Sequence, residues 1–414
     1  MQYEKIKKLK TSEETLIDGI NYGLVISSRL YIGSIKNIFV SILQGFFMQP
    51  FIKFPFKENP ILISYNLKNL SRKDYDFMIK TLKKIIPNHD SIVITRKISF
   101  NIFKNFFYIL NIVKSLKRQN LKFIEKLQVA ALINYYKKYE LTLSRNMKCE
   151  YHSYISFCDS YLDENLISQW IRKTHKTITY TLQHGQYKYT QNGKESNDTD
   201  AYENFVSHYI FVWGDSTKNE FLKADISKER IIVAGALKPF SSLKNYHRRN
   251  DQIAKSFCVA LDGDQSIRSN KNLLSIINEF CIANGYIYYI RFHPKSKIKL
   301  YNKYMSTINF NGIVDSNSMY EKNIHFLVAH TSGIIVEAIT NGIPLFLFID
   351  NFSESIHVDM NVGFSDENEL GELVKNLNMN YDNVIINLSK LSRDFNIAKT
   401  FEELKTNYQK YFPQ

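Results

Sequence analysis

The chain has 414 residues, 44% apolar and 14% aromatic, which is too long for one ordinary core and leaves ample material for two or three. Its net charge of +14 is confined to one end: residues 1–150 carry 26 Lys and Arg against 11 Asp and Glu, and the remainder carries 28 against 29. Cys149, Cys158, Cys258 and Cys281 stand singly without CxxC spacing, which excludes a cysteine metal site and reads as buried small residues in a reducing compartment. The first third is expected to meet a polyanion: nucleic acid, the anionic inner face of a membrane, or an anionic polymer. A lysine-rich solvated surface is the plain alternative. No leader of charged, apolar and small-residue segments opens the chain, so secretion is not expected.

In chain order, a polar lead-in is followed by NIFVSILQGFFMQPFI (37–52), sixteen uncharged residues that are too short and too polar to span a bilayer. NIFKNFFYILNIVKSLKR (101–118) combines a thick aromatic face with Lys104, Lys114, Lys117 and Arg118. Either segment would serve as a core helix or lie in a membrane interface. Strands are predicted at 61–66, 91–95, 150–157, 177–183, 208–214 and 231–237, with a helix at 73–86 and a long helical region ending near Arg145. A polar run at 241–252 reads as a crossing between domains. A second alternation follows, with strands in 256–264, 285–294, 310–315, 326–333 and 344–350, and helices at 272–283, near Tyr301, after HTSG, and from Glu367 onward. Strands alternating with helices predict two open parallel sheets, each presenting loops at the C-terminal ends of its strands.

Four such loops carry candidate chemistry. In LQHGQYKYTQNG (182–193), Gly185 permits a close turn, and His184, expected near neutral pKa, is suited to take a proton from a hydroxyl. In RFHPKS (291–296), Pro294 holds His293 extended, and His293 or Arg291 is suited to neutralise a departing pyrophosphate. In HTSGIIVEA (330–338), the amides of Thr331, Ser332 and Gly333 open a helix and suit phosphate, while Glu337 suits ribose hydroxyls. In ALDGD (260–264), Asp262 and Asp264 suit sugar hydroxyls or a metal, although no third ligand stands at a recognisable spacing. A loop histidine bonded to backbone and a solvated Glu337 are the plain alternatives. The chain has no GxxxxGK[ST], GxGxxG or Ser-His-Asp elbow, which leaves kinase, dehydrogenase and hydrolase readings without support.

Taken in order, these motifs resemble those of GT-B-fold transferases of bacterial surface polysaccharides, the group of capsule glycosyltransferases and CDP-glycerol glycerophosphotransferases. LQHGQ is similar to the family's W-H-G-T-P loop through His184 and Gly185. RFHP matches its R-x-H motif through Arg291 and His293, and HTSG its D-Y-S-S turn through Ser332. Residues 211–238 also resemble the segment joining the two domains in these enzymes and in the related epimerases. The resemblance spans roughly 150–350. His330 replaces the Asp of that turn, and ALDGD replaces A-P-T-W-R, so a nucleotide sugar is expected over a glycerophosphate donor.

What the resemblance implies is an α/β, GT-B-like protein of two Rossmann-type domains facing across a cleft. Residues 1–240 would form the acceptor side, and 253–400 the nucleotide-donor side with a helical tail at 401–414. The activity implied is metal-independent glycosyl transfer from a nucleotide-activated sugar, without a further cofactor, to a capsule-type polysaccharide or lipid-linked acceptor. His184 would be the base. His293, Arg291, Thr331, Ser332 and Gly333 would steady the leaving phosphate, with Glu337, Gly185 and Asp264 completing the donor site. The partners implied are the donor, the acceptor and the anionic inner membrane face, not nucleic acid, and the location is cytoplasmic and peripheral. A CDP-glycerol-type transferase, a sugar-nucleotide epimerase and an inactive polysaccharide-binding protein are the alternatives.

Overall fold

The structure, a computed structural model, describes residues 3–412 apart from 31–34, 54–57, 67–71, 99–101, 148–149, 161, 186–189, 192–193, 196–199, 239–254, 295, 316–317, 331–332 and 351–361. The expected crossing at 241–252, Thr331, Ser332 and most of the loop after Gly185 lie outside the described residues.

Seven strands build the first sheet: β1 (Met48–Lys53), β2 (Ile61–Asn66), β3 (His89–Ile98), β4 (Ser153–Ser156), β5 (Ile178–Leu182), β6 (Tyr209–Val212) and β7 (Ile231–Val233). Their order is β7-β6-β5-β4-β2-β3-β1, parallel except for β1, which pairs antiparallel with β3. Six strands build the second, all parallel: β8 (Ser256–Ala260), β9 (Ile287–Arg291), β10 (Phe310–Ile313), β11 (Leu327–Ala329), β12 (Leu345–Phe348) and β13 (Gly363–Phe364), in the order β10-β9-β8-β11-β12-β13. Central strands such as ILISY and LFLF are buried on both faces, which is why they read as unbroken apolar runs without alternation.

The uncharged segment 37–52 divides. Helix α1 (Ile35–Phe47) ends where β1 begins, and Pro50, which lacks an amide donor, is accommodated because β1 is an edge strand. Among the helices of this half are α2 (Lys73–Ile85), α3 (Ile102–Ser115), α4 (Phe123–Asn146) and α5 (Leu162–Thr174). The second half carries α6 (Ile267–Asn284), α7 (Ile334–Thr340), α8 (Glu367–Met379), α9 (Tyr381–Phe395) and α10 (Phe401–Gln409).

After α9 the chain returns to the first sheet. Asn396 Oδ1 accepts from the Ala236 amide at 2.9 Å, and the Ile397 amide donates to the Trp213 carbonyl at 3.0 Å. In α10, Tyr408 Oη donates to the Gly235 carbonyl at 3.2 Å and its ring stacks on Phe211 with centroids 4.7 Å apart. Leu404, Tyr408 and Phe412 belong to the core of the first sheet, so the last helix packs with the first half of the chain.

The crossing is close-packed at two glycines. A Cβ on Gly214 would lie 2.3 Å from the Asp394 carbonyl oxygen, and one on Gly235, which has φ +104°, would lie 2.6 Å from Ala398 Cβ. Gly342, at φ +66° with nothing within 4 Å, is strained by conformation alone. Gly235→Ala is therefore expected to cost roughly 2–4 kcal/mol from backbone strain plus overpacking, and Gly342→Ala about 1 kcal/mol. Urea unfolding midpoints of the two variants would check this, and equal shifts would show that the crossing is not tightly packed.

Candidate active site

The C-terminal strand ends of the second sheet bring three of the sequence motifs together. Asp262, two residues beyond β8, meets His330, which follows β11, and Asp350, two residues beyond β12. His330 Nδ1 lies 2.8 Å from Asp262 Oδ2, and its Nε2 lies 3.4 Å from Asp350 Oδ1, all with almost fully buried side chains. Burial works to lower the imidazole pKa, but the hydrogen bond and charge of Asp262 and the charge of Asp350 outweigh it and raise it. His330 is thus an ion-paired brace across three strand ends, a role that the isolated HTSG motif does not disclose.

Arg291, the last residue of β9, reaches Glu337 on α7 with Nη1 to Oε2 at 3.4 Å. The other Glu337 oxygen accepts from Lys238 Nζ at 3.1 Å. Lys238 follows β7, so it comes from the first half of the chain; it also lies 3.4 Å from the Gly333 carbonyl and 4.7 Å above the Trp213 ring. Burial pushes the Glu337 pKa up, yet the charges of Lys238 and Arg291 prevail and hold it below the ordinary carboxylate value. Glu337 is therefore a partly buried, ion-paired carboxylate rather than a solvated helix residue.

His184 stands at the end of β5, partly buried, with its ring 5.5 Å from Tyr75 and 5.7 Å from Phe157. Burial, reinforced by the Arg72 charge and only partly opposed by Asp74, pushes its pKa down to about 4. The near-neutral imidazole expected from the sequence is thus replaced by one that stays uncharged over the physiological range. Its loop is fixed by Gln183, whose side chain donates to the Gly185 carbonyl at 2.8 Å and accepts from the Trp213 amide at 2.8 Å. Trp213 Nε1 donates to the Gln183 carbonyl at 3.1 Å. One buried indole therefore positions both the His184 loop and Lys238.

Arg72 and Asp74, at the start of α2, form a bidentate pair at 3.1 and 2.6 Å, with the guanidinium 3.7 Å over Tyr75. Asp74 is held below its ordinary pKa despite partial burial, first by Arg72 and then by Lys238, and it in turn acts on Glu337. These couplings link His184, Arg72, Asp74, Lys238, Glu337 and Arg291 in one chain of charges drawn from both halves of the chain. Arg72 and Asp74 carried no motif signal, and Lys238 was marked only as the last residue of the 211–238 segment.

Asp264 and His293 lie on the loops that follow β8 and β9. Asp264 accepts the Lys297 amide on both oxygens, at 3.1 and 3.2 Å, and so ties down the loop after β9. His293 is partly buried on that loop, where its carbonyl accepts the Ser296 amide at 2.8 Å in a tight turn. Among the described residues no group of three or more His, Cys, Asp and Glu is arranged to hold a metal ion. A surface hollow lined by Ile178, Tyr209, Ile231 and Tyr411 opens at the opposite, N-terminal ends of β5 to β7 and shares none of the cleft residues.

No protein-family model matches the chain, and no curated protein matches it in sequence. Solved structures do match in fold. The S. aureus protein MnaA, solved with UDP, is 11% identical over 85% of this chain and 96% of its own, with a TM-score of 0.53. The UDP-GlcNAc 2-epimerase from Neisseria meningitidis, solved with UDP-GlcNAc, is 13% identical over 84% of this chain and 98% of its own, with a TM-score of 0.52. At such identities the likeness is one of architecture: the chain has a GT-B-like α/β fold with two parallel sheets.

The two histidines respond oppositely to pH. Folding lowers the His184 pKa from 6.5 to about 4, so its contribution to stability is complete above pH 6.5 and lost as pH falls toward 4. Folding raises the His330 pKa, so its contribution is complete below pH 6.5 and lost as pH rises through the folded value. An NMR titration of the imidazole rings is expected to find His330 still charged where His184 has long been neutral. Titration of both near 6.5 would show that neither ring sits in the surroundings described.

Proposed function

We propose that the cleft binds a nucleotide-activated sugar and transfers its glycosyl group to an acceptor hydroxyl. The observation that carries this reading is the Lys238–Glu337–Arg291 cluster, placed at strand ends of the second sheet and within electrostatic reach of Asp74 beside His184. Two cations there suit a diphosphate, whose charge grows as the bond from the anomeric carbon to oxygen breaks. Thr331, Ser332 and Gly333 precede Glu337 by four to six residues in sequence, and His293 follows Arg291 by two. Glu337 would accept ribose hydroxyls as the phosphates draw off its cations. Gly185 would let the backbone of the His184 loop approach the sugar.

His184, with a pKa of about 4, is a weak base. It would hold the acceptor hydroxyl by a hydrogen bond and receive its proton only as the new C–O bond forms and the hydroxyl turns acidic. The acceptor would lie on the first-sheet side, where Asn66 at the end of β2 donates through Nδ2 to Asp163 Oδ2 of α5 at 2.9 Å. That it is a surface polysaccharide or lipid-linked saccharide rests on the motif resemblance.

A second reading is favoured by the fold likeness, since the matched N. meningitidis structure is a UDP-GlcNAc 2-epimerase. Epimerisation at a carbon requires a base able to take a C–H proton. His184, depressed to about 4, is better suited to a hydroxyl proton released late in C–O bond formation than to a C–H proton, which supports transfer to oxygen.

Thermal shift against UDP, CDP, CMP, GDP and their sugars is expected to reveal one stabilising base series. With that donor, Arg291→Ala is expected to lower turnover about 100-fold and to weaken nucleoside diphosphate binding while leaving the free nucleoside unaffected. His184→Ala should lose turnover and keep nucleotide affinity. A new sugar nucleotide formed without any acceptor, seen by proton NMR, would replace transfer with epimerisation; no stabilisation by any nucleotide would sink both.

A further inference from the structure

Helix α1 is turned inside out. Ile35, Phe39, Leu43 and Phe47 recur at every fourth position, forming one stripe, and all are exposed, Ile35 by 74%. The opposite face buries Ser41, Gln44 and Gly45. That burial is specific: the Gly45 carbonyl accepts from Asn134 Nδ2 and Lys138 Nζ, each at 2.9 Å, and Gln44 Oε1 accepts from Arg29 at 3.3 Å. A Cβ on Gly45 would lie 2.3 Å from the Ala131 carbonyl oxygen of α4. The polar, small face is thus locked inward, and the apolar face has no choice but to point out.

Helix α3 lies alongside. Asn105 Nδ2 donates to the Phe46 carbonyl at 2.6 Å, and the Phe46 and Phe106 rings are 6.4 Å apart. Here too the aromatic side faces out, with Phe103 84% and Phe107 65% exposed while Asn105 is buried. Single exposed phenylalanines are ordinary, but two adjacent helices with apolar outer faces form a patch that water does not favour. Residues 35–47 and 102–118 contain five cations, Lys36, Lys104, Lys114, Lys117 and Arg118, all exposed, and no carboxylate.

This composition selects the occupant. A second copy of the chain would bring the same cations face to face, whereas an anionic lipid surface complements both the apolar stripe and its charge. A 13-residue helix is about 20 Å long, shorter than the roughly 30 Å hydrocarbon layer. Among the described residues no helix is long and apolar enough to cross a membrane, so these two would lie in its plane. We propose that α1 and α3 form a face that docks into the interface of an anionic bilayer, phenylalanines toward the acyl chains and lysines at the headgroup phosphates. The proposal does not depend on which reaction the cleft performs.

The test is flotation of the full chain with vesicles of phosphatidylcholine alone or mixed with phosphatidylglycerol. Binding is expected only to the mixed vesicles and is expected to weaken in about 1 M salt, where the Debye length is about 3 Å. Phe39→Ser/Phe103→Ser is expected to lower vesicle affinity roughly tenfold or more. The same variant should keep the thermal unfolding midpoint and the nucleotide response, because both rings face solvent. Phe103→Trp should show a blue-shifted emission on mixed vesicles. No binding to mixed vesicles, binding indifferent to the double substitution, or a dimer in light scattering that the substitution abolishes would each overturn the proposal.

Discussion

The molecule depends on a double passage of the chain between its two sheets. The outgoing segment after β7 and the returning segment after α9 run against each other, joined by Ala236 to Asn396 and by Trp213 to Ile397. Gly214 and Gly235 are required there because any side chain would collide with the returning backbone or with Ala398. Once the return is made, α10 contributes Leu404, Tyr408 and Phe412 to the first core, so neither half completes its packing without the other end of the chain. The same crossing carries Lys238 to Glu337 in the second half of the chain.

The cleft's electrostatics are a consequence of that geometry. Desolvating the Glu337 carboxylate alone would cost several kcal/mol, and the cost is offset by one cation from its own sheet, Arg291, and one from the crossing, Lys238. Trp213 supports Lys238 from below and fixes Gln183, which sets the His184 loop. The Glu337 cluster and His184 are in this way coupled through one buried indole. Arg72 and Asp74 extend the chain of charges; Arg72 adds to burial in lowering the basicity of His184, and Asp74 partly opposes it. On the proposed reading, a phosphorylated ligand enters a site whose cations are already assembled, and reorganisation is confined to the Glu337 pairs.

The first third of the chain follows a different logic. Against α4, α1 buries Ser41, Gln44 and Gly45, and α3 buries Asn105 beside Ile109 and Ile112, while the outer apolar stripe of α1 and the phenylalanines of α3 are left over for another medium. Packing closeness at Gly45 fixes which face is outermost, just as Gly235 fixes the crossing. Intramolecular constraint therefore shapes the exterior as well as the core.

Much of the fold was legible in the sequence. Runs such as ILISY and LFLF, free of alternation, announced buried parallel strands, and the glycine and proline after α7 announced its end, because local periodicity and backbone chemistry act within a few residues. The loops carrying His184, Arg291 and Glu337 were legible for the same reason: each directly follows a strand or opens a helix. The sequence could not tell that Glu337 is ion-paired, that His330 braces Asp262 and Asp350, or that Arg72, Asp74 and Lys238 belong to the site, because those partners are brought together across long separations. Nor could it tell which way α1 faces, since an apolar stripe at helical spacing fits core and surface equally. That choice was decided only in the tertiary structure, where Gly45 alone has room to approach Ala131 and the stripe is left to face outward.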